Sequence, residues 1–182
     1  MTIKNILFTF LVFLSLQLVA QEKYVTKSGS LTFESSVASF EKVAAINNKV
    51  SAILKDDGNI AALVLIKGFR FKIALMEEHF NENFIESNSY PTAKFSGKIL
   101  NFSINDLSQE NKKFSMEGKL TLREITKKIK ATAHVKKTDN RIYIHANFKL
   151  SPKDFDIKIP AVVRKKIAKE VAVSVDFELK KK

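Results

Sequence analysis

The chain has 182 residues, 45% hydrophobic and 27% charged, with five Gly, three Pro and no Cys, a composition that fits one globular domain and excludes disorder, collagen and a disulfide scaffold. Lys and Arg number 31 against 19 Asp and Glu, leaving a net charge of +12, so an anionic partner has to be considered from the outset. The lack of Cys also excludes thiolate zinc sites, iron–sulfur clusters and cysteine nucleophiles.

The first twenty residues carry one charge, at Lys4, then an apolar run from Ile6 to Leu16 and a short stretch ending at the small residue Ala20. This is the pattern of a signal peptide. The apolar run is short for a membrane span and is followed at once by the charged stretch QEKYVTK. Residues 1–20 are therefore expected to be a leader cleaved after Ala20, with residues 21–182 forming one domain in the periplasm or outside the cell.

The next segments read as strands: Ser30 to Ser35, Val43 to Lys55 and Asn59 to Phe69. From Lys72 to Tyr90 the alternation breaks. There Leu75, Met76, His79, Phe80 and Phe84 fall at helical spacing, and a short amphipathic helix is expected. Strand pattern returns from Thr92 to Ser103, then clearly at Phe114, Met116, Gly118, Leu120 and Leu122, with polar or charged residues between them. It recurs at Ile129, Ala131, Ala133 and Val135, and again at Ile142, Ile144, Ala146, Phe148 and Leu150. From Pro152 to Lys169 a second break places Pro160 at the start of a helical turn containing Val162, Val163, Ile167 and Ala168. The last strand runs through Val171, Val173, Val175, Phe177 and Leu179.

Eight strands joined by short turns, such as those near Gly58 and Asp139, should pair as antiparallel hairpins. A long sheet with a single apolar face must close or stack, and consecutive hairpins favour closure. The expected fold is all-β: an eight-stranded antiparallel up-and-down barrel with one or two short helical lid segments. If the penultimate hairpin turns at Asp139-Asn140, Val135 faces Ile144, Ala133 faces Ala146, Ala131 faces Phe148 and Ile129 faces Leu150. The same register sets His134 opposite His145 outside the barrel, as an exposed cross-strand pair rather than a metal site.

Met76, His79, Phe80 and Phe84, followed by YPTAKF from Tyr90 to Phe95, resemble the signature of the YceI-like family. The resemblance continues through GKLTLREITKKI, from Gly118 to Ile129, and DFDIKIP, from Asp154 to Pro160. It departs at Arg123-Glu124-Ile125, where the family commonly has a small turn ending in Gly. It implies a lipocalin-like barrel that binds a polyisoprenoid or related amphiphilic lipid.

Catalytic patterns are missing from the sequence: no G-x-S-x-G, no H-E-x-x-H and no Gly-rich phosphate loop. Glu77 and Glu78 adjoin His79, but neighbouring helical residues diverge, so they form no dyad with it. The basic residues spread over the polar strand faces rather than forming a stripe with exposed aromatics, which argues against nucleic acid. Weak attraction to an anionic membrane surface suits them better. The reading is a non-catalytic carrier, without cofactor or metal, for a long-chain isoprenoid or fatty amphiphile. Phe33, Phe69, Met76, Phe80, Phe84, Phe95, Phe114, Met116, Leu120, Phe148 and Phe177 are the candidate cavity lining. Met76, Phe80 and Phe84 should cover one barrel mouth, with His79 and Tyr90 as polar anchors of that lid. The alternatives are an exported structural or stress-response barrel whose Phe side chains fill the core and whose two lid segments plug its ends, and an enzyme acting on such a lipid.

Overall fold

The computed structural model describes residues 22–36, 43–161, 163 and 167–182. The leader assigned to residues 1–20 and the position of Val162 lie outside them. Among the described residues nine strands follow in chain order: β1 Lys23–Ser36, β2 Ala44–Lys55, β3 Asn59–Leu65, β4 Arg70–Phe71, β5 Thr92–Ile99, β6 Lys112–Leu122, β7 Ile125–Thr138, β8 Arg141–Leu150 and β9 Ile167–Lys181. All pairings are antiparallel, in the order β1-β9-β8-β7-β6-β5-β3-β2, and β2 returns to β1 to close the barrel. Eight long strands thus leave no free edge. The two-residue β4 adds only a short pairing to the start of β2, Ala45 to Phe71 and Ile46 to Arg70.

Period-two alternation drives this closure. In β9, Val171, Val173, Val175, Phe177 and Leu179 are all buried while the residues between them are exposed or half-buried. The β7–β8 hairpin has the register expected from its turn, with Val135 opposite Ile144, Ala133 opposite Ala146 and His134 opposite His145. The ladder ends at Thr132 and Asn147, so the further pairs Ala131 with Phe148 and Ile129 with Leu150 do not form. Here β7 stays with β6 and β8 with β9, while the 3-10 turn Pro152–Phe155, with Phe155 buried, contacts β7 and β9.

Three sequence expectations are corrected by the structure. β3 stops at Leu65 instead of running to Phe69, because the buried Asn47 amide donates to the Leu65 carbonyl (2.9 Å) and Gly68 lies against the same side chain. A Cβ on Gly68 would sit 2.6 Å from Asn47 Nδ2. β5 stops at Ile99 rather than Ser103, since Leu100 enters a turn and Asn101 takes the left-handed conformation at φ 54°. Ile167 and Ala168, expected in a helical turn, belong to β9, where Ile167 faces Ser36.

The two ends of the barrel differ. At the end bearing the β2–β3 and β7–β8 turns, Tyr24, Leu54, Ile99, Val135, Ile142 and Leu179 are fully buried and close the interior. At the other end lie the helix α1, Ala74–His79, and the segment that follows β8.

Candidate functional site

Under α1 and the residues after β8 lies an apolar cavity of about 530 Å³. Its wall is the inward face of the barrel, with Leu31 and Phe33 from β1, Leu120 and Leu122 from β6, and Val171 and Val173 from β9. Met76, His79, Phe80 and Phe84 close it from one side, and Ile157, Ile159 and Val163 from the other. No Lys, Arg, Asp or Glu lines it; Ser35 and His79 are its polar side chains among the described residues. A smaller space of about 70 Å³ lies deeper and shares Leu31, Val64, Ala93, Leu120 and Phe148 with the first.

The lid is held mainly by aromatic packing. The Phe80 ring stacks on Phe33 at 5.4 Å and meets Phe69 and Phe71 at 5.5 and 5.1 Å, which adds ring geometry to apolar burial. Beyond His79 the helix widens into a π-type turn over Phe80–Phe84, closed by the Ile85 N–H on the Phe80 carbonyl. Met76, Phe80 and Phe84 all face the cavity, as their four-residue spacing implies.

The polar fastening falls mainly on Glu77 and Arg123, to which the sequence assigns no part in holding the lid. Glu77 accepts from the Phe71 N–H (3.1 Å) and from Arg70 Nη1 (2.9 Å), tying the helix to β4. Asn81 Nδ2 donates to the Glu77 carbonyl at 2.8 Å. Arg123 reaches Glu86 with one guanidinium nitrogen and the Asp156 carbonyl with another, while its guanidinium lies 5.1 Å from the Tyr90 ring centre. One side chain therefore spans the segment after the lid helix and the segment after β8. Tyr90 joins the fastening through its ring face, and His79 lies on the cavity wall. The Arg123–Glu124 turn has φ of 49° and 63°, the I′-type geometry that usually takes Gly or Asn.

The remaining candidates divide by depth. Phe33, Phe69, Met76, Phe80, Phe84, Leu120 and Phe148 border the large cavity. Phe95, Met116 and Phe177 border the small one, which Leu120 and Phe148 also touch. Phe114 borders neither; at the start of β6 it packs against Phe102 (5.8 Å between ring centres), in the closed part of the barrel. Gly118 leaves no empty space, because the Phe95 ring covers it and the facing Gly97, where a Cβ would come within 2.6 Å of the ring. Outside the barrel His134 and His145 face each other at 6.5 Å between ring centres. His145 Nδ1 is 2.7 Å from Asp176 Oδ1 and its Nε2 is 2.9 Å from Asn147 Nδ2, so both ring nitrogens are engaged.

The YceI-like domain model matches residues 20–179. Among solved structures, a polyisoprenoid-binding domain from Saccharophagus degradans aligns with a TM-score of 0.74 at 13% identity, covering 87% of this chain and 97% of that one. BcnA from Burkholderia cenocepacia aligns at 0.67 and 14% identity, over 82% and 95% of the two chains. The Campylobacter jejuni YceI protein aligns at 0.62 and 15%, over 79% and 87%. These structural likenesses are likenesses of fold. A comparison with curated proteins gave no match.

Proposed function

Since the chain belongs to the YceI-like family, we propose that it is a non-catalytic carrier that sequesters an isoprenoid-like or fatty amphiphile in the cavity beneath its lid. The observation that carries this reading is the apolar space of about 530 Å³ at one barrel mouth, a volume typical of small-ligand sites. A barrel serving only as a filled structural body has no need of such a space. Each Å² of apolar ligand surface buried contributes about 25 cal/mol, offset by the cost of ordering the chain. The polyisoprenoid-binding description of the Saccharophagus neighbour supports the ligand class.

The leader-like pattern of the first twenty residues supports export of this carrier to the periplasm or out of the cell. A donor or acceptor membrane is then the natural second partner. On the mouth side, Leu65 and Leu75 are 53% and 56% exposed and Ile46 is 40% exposed, with Lys67, Lys72 and Lys94 near them in the chain or the sheet. This combination suits shallow contact with anionic head groups.

Native mass spectrometry and lipid extraction of protein purified from its own host test the carrier reading. A stoichiometric apolar adduct is the expected result. Protein that arrives empty and binds no long-chain amphiphile in equilibrium titration overturns it.

A further inference from the structure

The inward row of β1 reads Leu31, Phe33, Ser35, and at Ser35 the apolar pattern fails inside an otherwise apolar wall. Ser35 is only 4% exposed. Its backbone N–H is satisfied by the Val43 carbonyl at 2.8 Å, but its hydroxyl is buried with no hydrogen-bond partner among the described residues. A buried polar group without a partner is uncommon and calls for an explanation. This one lies on the wall of the main cavity, near the barrel mouth.

We propose that the Ser35 hydroxyl is the hydrogen-bonding anchor for the ligand's head, and that the head is neutral, an alcohol or carbonyl oxygen rather than a diphosphate. This rests on the carrier reading above and specifies its ligand class. A hydroxyl both donates and accepts, so it serves either head type, and the apolar lining around it strengthens such a bond. A buried anion instead needs a cation beside it, and no Lys or Arg lines this space among the described residues. Strand geometry then orients the ligand. At about 3.3 Å per residue, the row from Ser35 to Leu31 leads the chain past Phe33 toward the smaller, deeper space that Leu31 also borders. The stack of Phe33 on Phe80 brings the same β1 row against the lid residue that follows His79, the other polar side chain of the lining.

The test compares geranylgeraniol, geranylgeranyl diphosphate and the headless hydrocarbon phytane, titrated into delipidated protein and into Ser35→Ala and Ser35→Thr. The wild type should prefer the alcohol to the hydrocarbon by roughly 2–10-fold, the value of one net hydrogen bond, and should bind the diphosphate weakest. Ser35→Ala should remove the preference while leaving phytane affinity and the melting temperature unchanged or slightly raised. Ser35→Thr, which keeps the hydroxyl, should retain it. An alcohol preference that survives in Ser35→Ala, or tightest binding by the diphosphate, overturns the assignment while leaving a carrier in place. Failure of the wild type to bind any of the three defeats the carrier reading, and the assignment falls with it.

Discussion

Arg123 shows how a single residue joins two parts of the chain that the barrel itself leaves independent. Its side chain is 12% exposed and holds Glu86 and the Asp156 carbonyl at once, with the Tyr90 ring beneath it. A planar guanidinium can fork in this way and a lysine ammonium cannot. Arg123→Ala should therefore lower stability by about 1–2 kcal/mol, read from the denaturant midpoint. Hydrogen exchange should quicken over residues 85–90 and 152–157 together. Acceleration of one stretch alone would mean that the side chain does not couple them. The residue was visible in the sequence only as a departure from the family pattern. Its role was not legible, because Glu86 and Asp156 lie 37 and 33 residues away and no local pattern reports such a contact.

At the level of elements, legibility follows the range of the forces that define each one. Alternation within a strand is local, and the strands it marks in β6, β7, β8 and β9 are present in the barrel. Strand ends depend on distant groups: Asn47 ends β3, and the parting of β7 from β8 ends their ladder. The lid helix was legible from its spacing, whereas its fastening through Glu77 was not, since Arg70 and the Phe71 amide come from a strand of only two residues. Phe80 meets Phe33, Phe69 and Phe71 at 5.1–5.5 Å. Phe80→Asp should strip the lid of this packing, speed exchange over residues 72–90 and shorten lipid retention, with the barrel strands still protected. Unchanged exchange and retention would show that the helix does not cover the site. The closed end has its own signature. Burial holds the Tyr24 phenol above its ordinary range, aided by the neighbouring Glu22 carboxylate. A raised folded-state value favours the protonated form, so this contribution is complete below about pH 10 and is lost as pH rises from there through the higher folded-state value. The melting temperature should thus fall more steeply above about pH 10 in the wild type than in Tyr24→Phe; parallel curves would remove Tyr24 as the cause.

Across the whole molecule, one barrel carries two kinds of interior, and small inward residues mark the difference only once their depth is known. In the sequence, Gly118, Ala131, Ala133 and Ala146 are alike as small residues in the apolar rows of their strands. Gly118 lies under the Phe95 ring, Ala133 is fully buried opposite Phe114, and Ala146 borders only the space of about 70 Å³. The room lies nearer the mouth, where Ala93 borders both spaces. The same substitution should therefore act in opposite ways at two sites. Ala133→Phe forces a ring into packed surroundings and should cost about 1–3 kcal/mol, seen as a lower denaturation midpoint whether or not lipid is present. Ala93→Phe directs the ring into existing space, where the apolar surface it buries offsets most of the strain, so stability should change by less than about 1 kcal/mol. The ring then occupies the junction between the two spaces, and a long chain entering from the mouth meets it. Retention of long-chain lipid should fall at least tenfold in Ala93→Phe, by about 1.4 kcal/mol or more, with a barrel that melts as before. If Ala93→Phe instead unfolds the barrel while Ala133→Phe is tolerated, the packed and open ends have been assigned the wrong way round. If both variants keep full stability and full lipid retention, the ligand does not lie along the barrel axis.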